Sequence, residues 1–117
     1  MIGLAFLSGC MFLQPLPTMS PPAWIQGTWS FGEVGAGYTF TATTVLMTIG
    51  VTTLDMGAIY RASGGVTEII TDTLYSFAVP HETGDITYEF RLVDANTIQL
   101  TERTAFSTTG PIPLYRQ

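Results

Sequence analysis

From Trp24 onward, apolar and polar residues alternate with a period of two, while the spacing of an amphipathic helix is nearly absent. Tyr38, Phe40 and Ala42 fall on one face and Thr39, Thr41 and Thr43 on the other; Val45, Met47 and Ile49 continue the pattern after Thr44. Two apolar runs, 66–71 and 74–79, flank the turn residues Thr71-Asp72-Thr73. Ile86, Tyr88, Phe90 and Leu92 then alternate with Thr87, Glu89, Arg91 and Val93, and Asp94-Ala95-Asn96 turns the chain into Thr97-Ile98-Gln99-Leu100-Thr101. Short strands broken by turn signals every ~10 residues predict an all-β chain, a small antiparallel meander barrel of about seven to eight strands. Threonine suits the solvent face of such strands, being β-branched yet polar. Residues 51–65 are the least regular stretch. They read as a further strand, with a single helical turn capped by Thr53 as the alternative.

The N-terminal part is built differently. Met1-Ile2-Gly3-Leu4-Ala5-Phe6 is apolar, and Met11 to Pro22 contains Pro15, Pro17, Pro21 and Pro22, which forbid a continuous helix or an inner strand. The apolar stretch ends at Gln14-Pro15, short of the ~20 residues a membrane-spanning helix needs. Three segments are therefore expected: 1–9 as an address, 10–22 as an extended tether reaching up to about 40 Å, and 23–117 as the folded domain.

Between the first two lies Leu7-Ser8-Gly9-Cys10, which holds the only cysteine of the chain. This tetrad resembles the lipobox that ends the signal peptide of bacterial lipoproteins. The resemblance implies that Cys10 becomes the mature N-terminus and carries diacylglyceryl and palmitate-type acyl chains. It implies a partner, the membrane, held through that lipid anchor, and a place in the bacterial cell envelope. Met11, where an aspartate would favour the inner membrane, points to the outer membrane or the cell surface.

Composition narrows the rest. About 95 residues remain after the first two segments, enough for one core. The 117-residue chain has a formal net charge of -5, and Arg61, Arg91, Arg103 and Arg116 are its only cations besides His81. No basic stripe for phosphates can be assembled from these, so no nucleic-acid partner is expected. A single cysteine excludes an intrachain disulfide.

Gly27-Thr28-Trp29 near the start of the domain and Leu114-Tyr115-Arg116 near its end carry a second resemblance. The Gly-X-Trp and the late arginine, with the meander between them, resemble a lipocalin-like (calycin) barrel. That resemblance implies that Trp29 plugs one end of the barrel and that Arg116 packs across its ring, joining first and last strands. It also implies a cavity for a small apolar ligand, which Tyr38, Phe40, Met47, Tyr88 and Phe90 would line, with Tyr75 or Phe77 beside them.

Other chemistry is weaker. His81, Glu82 and Asp85 share a loop, but a stable zinc site needs three or four ligands, so a plain hairpin loop and no metal are expected. Gly32-Glu33-Val34-Gly35-Ala36-Gly37 precedes a strand rather than a helix, so it lacks the dipole and amide cradle of a phosphate loop and reads as a hairpin. No Gly-X-Ser-X-Gly elbow surrounds a serine. No enzyme and no cofactor are expected. Two readings of the domain stay open: a barrel that binds a small apolar ligand, or a non-catalytic structural or host-contact domain filled by its own side chains.

Overall fold

A computed structural model of the chain describes residues 18–32, 35–62 and 67–117. The tetrad that resembles a lipobox, the expected tether as far as residue 17, Glu33-Val34 of the glycine-rich loop and residues 63–66 lie outside the described residues.

Nine strands are described: β1 (Gly27–Ser30), β2 (Ala36–Phe40), β3 (Val45–Ile49), β4 (Thr52–Asp55), β5 (Glu68–Ile70), β6 (Leu74–Val79), β7 (Ile86–Asp94), β8 (Thr97–Arg103) and β9 (Thr108–Arg116). They form one antiparallel sheet in the order β4-β3-β2-β1-β9-β8-β7-β6-β5, curled into a half-barrel. The all-β meander is thus present, with nine strands instead of seven or eight. First and last strands pair, Trp29 opposite Arg116 and Ser30 opposite Tyr115. The sheet opens instead in mid-chain, between β4 and β5.

The predicted alternation maps onto burial. On β7, Tyr88 and Phe90 are buried while Arg91 is exposed; on β8, Ile98 and Leu100 are buried between half-buried neighbours. The core also takes in Ile25, Trp29, Tyr38, Phe40, Val45, Tyr75, Phe77 and Leu114.

Three hairpin turns share one device. Thr41, Thr71 and Thr104 each accept, through Oγ1, the backbone N–H groups two and three residues ahead, at 3.0–3.2 Å for Thr41, 2.9–3.2 Å for Thr71 and 3.1–3.2 Å for Thr104. Each also closes the turn with its own N–H, donated to the carbonyl of Thr44, Leu74 or Ser107. A threonine hydroxyl satisfies turn donors that would otherwise face water or nothing. Asp94 does the same for Asn96 N–H at 2.9 Å.

The stretch from 51 to 65 is neither of the two expected forms alone. β4 is followed by a helix, α1 (Met56–Ala62), whose Met56, Gly57 and Tyr60 are buried. Its cap is Asp55 rather than Thr53: Asp55 Oδ1 accepts from Ala58 N–H at 3.2 Å and from Thr44 Oγ1 at 2.6 Å, while Thr44 Oγ1 accepts from Gly57 N–H at 3.1 Å. A Cβ at Gly57 would run into Thr44 Oγ1, so this close approach requires glycine.

The fold also begins earlier than the boundary expected at residue 23. Met19 is fully buried in the core, Ser20 N–H donates to Glu68 Oε2 at 2.8 Å, and the carbonyl of the buried Pro21 accepts from Gln26 Nε2 at 3.1 Å. Prolines alone suggested a tether here. A single methionine inserted into the core fixes the segment instead.

Candidate functional site

The first and last strands meet at one end of the half-barrel. A 3-10 turn, Ala23–Ile25, leads into β1 and puts Ile25 in the core beneath Trp29, whose Nε1 donates to Ile25 O at 2.8 Å. The Arg116 guanidinium lies over the Trp29 ring, 4.2 Å from its centroid. It also donates to three carbonyls: Gln26 O at 3.0 Å, Trp24 O at 3.0 Å and Ala95 O at 2.9 Å. One side chain thereby ties the entry segment, β1 and the β7–β8 turn. Gly27 has φ +128°, and a Cβ there would sit 3.0 Å from an Arg116 nitrogen, so glycine serves both the backbone and the guanidinium. This end fastens the entry segment to the last strand.

The five residues expected to line a ligand cavity are brought together, but as core. Tyr38, Phe40, Tyr88 and Phe90 are buried, and Met47 is half-buried against the same cluster. Their rings meet edge to face or stacked: Tyr38–Phe90 at 5.1 Å, Phe40–Phe90 at 4.9 Å, Tyr38–Phe40 at 6.1 Å. Tyr75 and Phe77 complete the cluster, with Phe77 stacked on Tyr88 at 5.1 Å and near Phe90 at 6.1 Å. Centroid spacings of 4.5–7 Å are those of rings in direct contact. Burial raises the pKa of Tyr38, Tyr60, Tyr75 and Tyr88 above the ordinary phenol value; for Tyr75 the hydrogen bond to the Glu68 carboxylate adds to it.

A groove of about 400 Å³ lies elsewhere, on the outer face of β1 and β2. Thr28, Ser30, Gly37, Thr39, Thr48 and Gln117 line it. Its lining among the described residues includes no Asp, Glu, Lys or Arg, and two of its groups satisfy each other already, Gln117 Nε2 donating to Ser30 Oγ at 2.8 Å.

The His81 loop is exposed. The His81 ring bonds to Thr83 Oγ1 at 3.0 Å, and neither Glu82 nor Asp85 joins it in a ligand set. Among the described residues no group of three or more His, Cys, Asp or Glu stands close enough to hold a metal ion. No described helix is long and apolar enough to cross a membrane. The glycine-rich loop runs from β1 into β2, strand to strand, with Gly35 O accepting from Gly50 N–H of the β3–β4 turn at 2.6 Å. Cys10 lies outside the described residues.

No protein-family model, no curated protein and no solved structure matches this chain. The half-barrel meander is compatible with a calycin-like fold, and that is as far as its architecture goes.

What the spacing of residues did not reveal was the turn role of Thr41 and Thr104, or the hydroxyl bonds by which Thr71 holds the turn expected at Thr71-Asp72-Thr73. The signal was present: Thr71 stands three residues before the next strand, and Thr41 and Thr104 stand four before theirs. Alternating strands hid it, because threonine also fills their outer faces.

Proposed function

We propose that this chain is a non-catalytic bacterial envelope lipoprotein, anchored by acyl chains on Cys10, whose filled half-barrel works by contact at the outer membrane or cell surface. The observation that supports contact over ligand transport is the interlocked ring cluster: Phe90 alone meets Tyr38, Phe40 and Phe77 within 4.9–6.1 Å. Ligand sites of drug size span about 300–1,000 Å³ of apolar cavity. A chain that holds such a volume would have to separate these rings and lose their mutual contact, which is worth about 0.5–1.5 kcal/mol per pair.

Support for the anchor is the sequence Leu7-Ser8-Gly9-Cys10. One acyl chain holds a protein only marginally, and two or three give durable attachment, at ~0.8 kcal/mol per buried CH₂. The described fold begins by Met19, so the reach between anchor and domain is shorter than a tether running to residue 22 would give.

Metabolic labelling with a palmitate analogue, followed by native mass spectrometry of the purified protein, tests both parts. The expected result is label lost in Cys10→Ala and no retained ligand after release from the membrane. Label that survives Cys10→Ala would overturn the anchor, and a stoichiometric apolar adduct independent of Cys10 would overturn the contact reading.

A further inference from the structure

The N-terminal segment enters the described fold at one edge of the sheet. Met19 is fully buried in the core, Ser20 N–H donates to Glu68 Oε2 at 2.8 Å at the start of β5, and Trp24 Nε1 donates to Thr71 O at 3.0 Å just beyond its end. The segment from Ser20 to Trp24 is thus tied to both ends of β5. Glu68 is the one charge on that strand, and its Oε2 is engaged a second time by Tyr75 OH at 2.6 Å. The entry segment itself, from Thr18 to Gln26, carries no charge.

The surface at this entry is apolar. Ile69 is 51% and Ile70 46% exposed, and Trp24, bonded to the residue that follows them, is half-buried. Ile69 lies across from Ser76 and Ile70 across from Tyr75, so the two side chains leave opposite faces of the sheet. One partner covers both only by meeting the strand edge-on. A further strand is opposed here by the Glu68 charge and by the segment tied beside the edge, whereas a flat surface needs no register.

We propose that this edge, with Ile69, Ile70 and Trp24, lies against a lipid bilayer at the boundary of headgroups and acyl chains, beside the point where the chain leaves the fold for its anchor. The contact rests on the reading of Cys10 as a lipid anchor. Eight steps along the chain separate Cys10 from Thr18, a span of at most about 29 Å. A tether this short holds the domain over the membrane at an effective concentration on the order of millimolar, so an apolar contact too weak to bind free protein is still populated. It also favours the face it leaves from, because another face reaches the bilayer only if the chain is drawn around the domain. Ile49, Val51 and Leu54 of the β3–β4 hairpin are exposed as well. Among the described residues, no hydrogen bond ties the entry segment to that hairpin.

The chemistry of the edge suits that depth. An indole has an apolar body and a polar N–H, the combination that settles at a membrane–water interface. Water still reaches the headgroup level, so backbone groups left unpaired along β5 keep hydrogen-bond partners there, as they would not in the hydrocarbon core. The chain has a formal net charge of -5 and Asp72 is exposed in the next turn, so the lipid that fits is zwitterionic rather than anionic.

The test couples the full-length chain, through its single cysteine, to a maleimide-bearing phospholipid in phosphatidylcholine vesicles, so that it proceeds whether or not cells acylate Cys10. Trp24 and Trp29 are the only tryptophans, and Trp29 is fully buried in the core. Replacing the vesicle lipid by one brominated along its acyl chains should quench the emission, and Trp24→Phe should abolish that quenching. Ile69→Asp combined with Ile70→Asp should remove most of it, while Val51→Asp on the β3–β4 hairpin leaves it unchanged; circular dichroism verifies that the variants fold. Moving the probe gives a second reading. In a Trp24→Phe background, Ile69→Trp should be quenched and Val51→Trp should not.

Equal emission in both lipids, quenching indifferent to the paired aspartates, or quenching that Val51→Asp reduces as much would overturn the proposal. So would a dimer of the uncoupled chain that the paired aspartates dissociate, because the edge would then serve a second copy. The palmitate label on Cys10 reports acylation in the cell separately: quenching without that label would overturn the anchor and leave the edge contact standing, and label without quenching would do the reverse.

Discussion

Arg116 sits 4.2 Å above the Trp29 ring and donates to three carbonyls, Trp24 and Gln26 of the entry segment and Ala95 of the β7–β8 turn. The residues are neighbours across the β1–β9 pair, so their contact lies on the one junction that joins first and last strands of an otherwise sequential meander. Arg116→Ala removes the cation–π contact and leaves three carbonyls without their charged donor. The expected loss is about 2–4 kcal/mol, read as a fall in melting temperature on the order of 10–20 °C. Arg116→Lys keeps the charge but not the fork, and should fall between. An unchanged melting temperature in Arg116→Ala would show that the ends are held elsewhere.

Phe90 is the hub of the interior, touching the rings of Tyr38, Phe40 and Phe77. Phe90→Ala should destabilise the domain by about 3–5 kcal/mol, measured by denaturant unfolding. Stability retained to within about 1 kcal/mol would mean that the interior already contained space able to collapse.

The turn threonines give a conservative series. Replacing Thr41, Thr71 or Thr104 by valine keeps shape and branching but removes the hydroxyl acceptor. Each change should lose about 0.5–1.5 kcal/mol, and serine at the same position should restore most of it. Valine variants as stable as the parent would leave these bonds without energetic weight.

Alkaline pH should unfold the protein through its tyrosines. Burial raises Tyr38, Tyr60, Tyr75 and Tyr88 above the ordinary phenol value of about 10. A phenol whose folded pKa exceeds its unfolded one binds its proton more tightly in the folded state. Its contribution to stability is therefore whole below about pH 10 and is lost as the pH climbs toward the folded value. The slope is about 1.4 kcal/mol per pH unit for each tyrosine that must ionise. Absorbance of tyrosinate and loss of the near-ultraviolet circular dichroism signal should rise together above about pH 10, and Tyr75→Phe should make the slope shallower. Buried tyrosines that ionise before the fold is lost would show that solvent reaches the interior.

Much of the sheet could be read from alternation alone. Tyr38/Phe40, Tyr88/Phe90 and Ile98/Leu100 mark inward faces in the sequence and are buried in the fold. What was not legible has particular causes. β9 runs nine residues through Gly110, Pro111 and Pro113, residues that argue against a strand; the shifted register between Thr109 and Ile112 lets them lie in one. Helix α1 is too short to display a helical period, and part of its cap comes from Thr44, outside the local window. Met19 lies in a proline-rich run that gives no sign of the core it enters. A list of inward aromatic residues does not separate a lined cavity from a filled one, because the same alternation yields both.

The contact reading turns on whether the interior admits a guest. Titrating the isotope-labelled, full-length chain with a medium-chain fatty acid and following the ring resonances of Tyr38, Phe40, Tyr88 and Phe90 answers this. Resonances that stay in place up to the solubility of the acid are the outcome expected of rings already in contact. Saturable shifts of those four rings would mean that the half-barrel opens to an apolar ligand, and the binding-module reading would replace the one proposed.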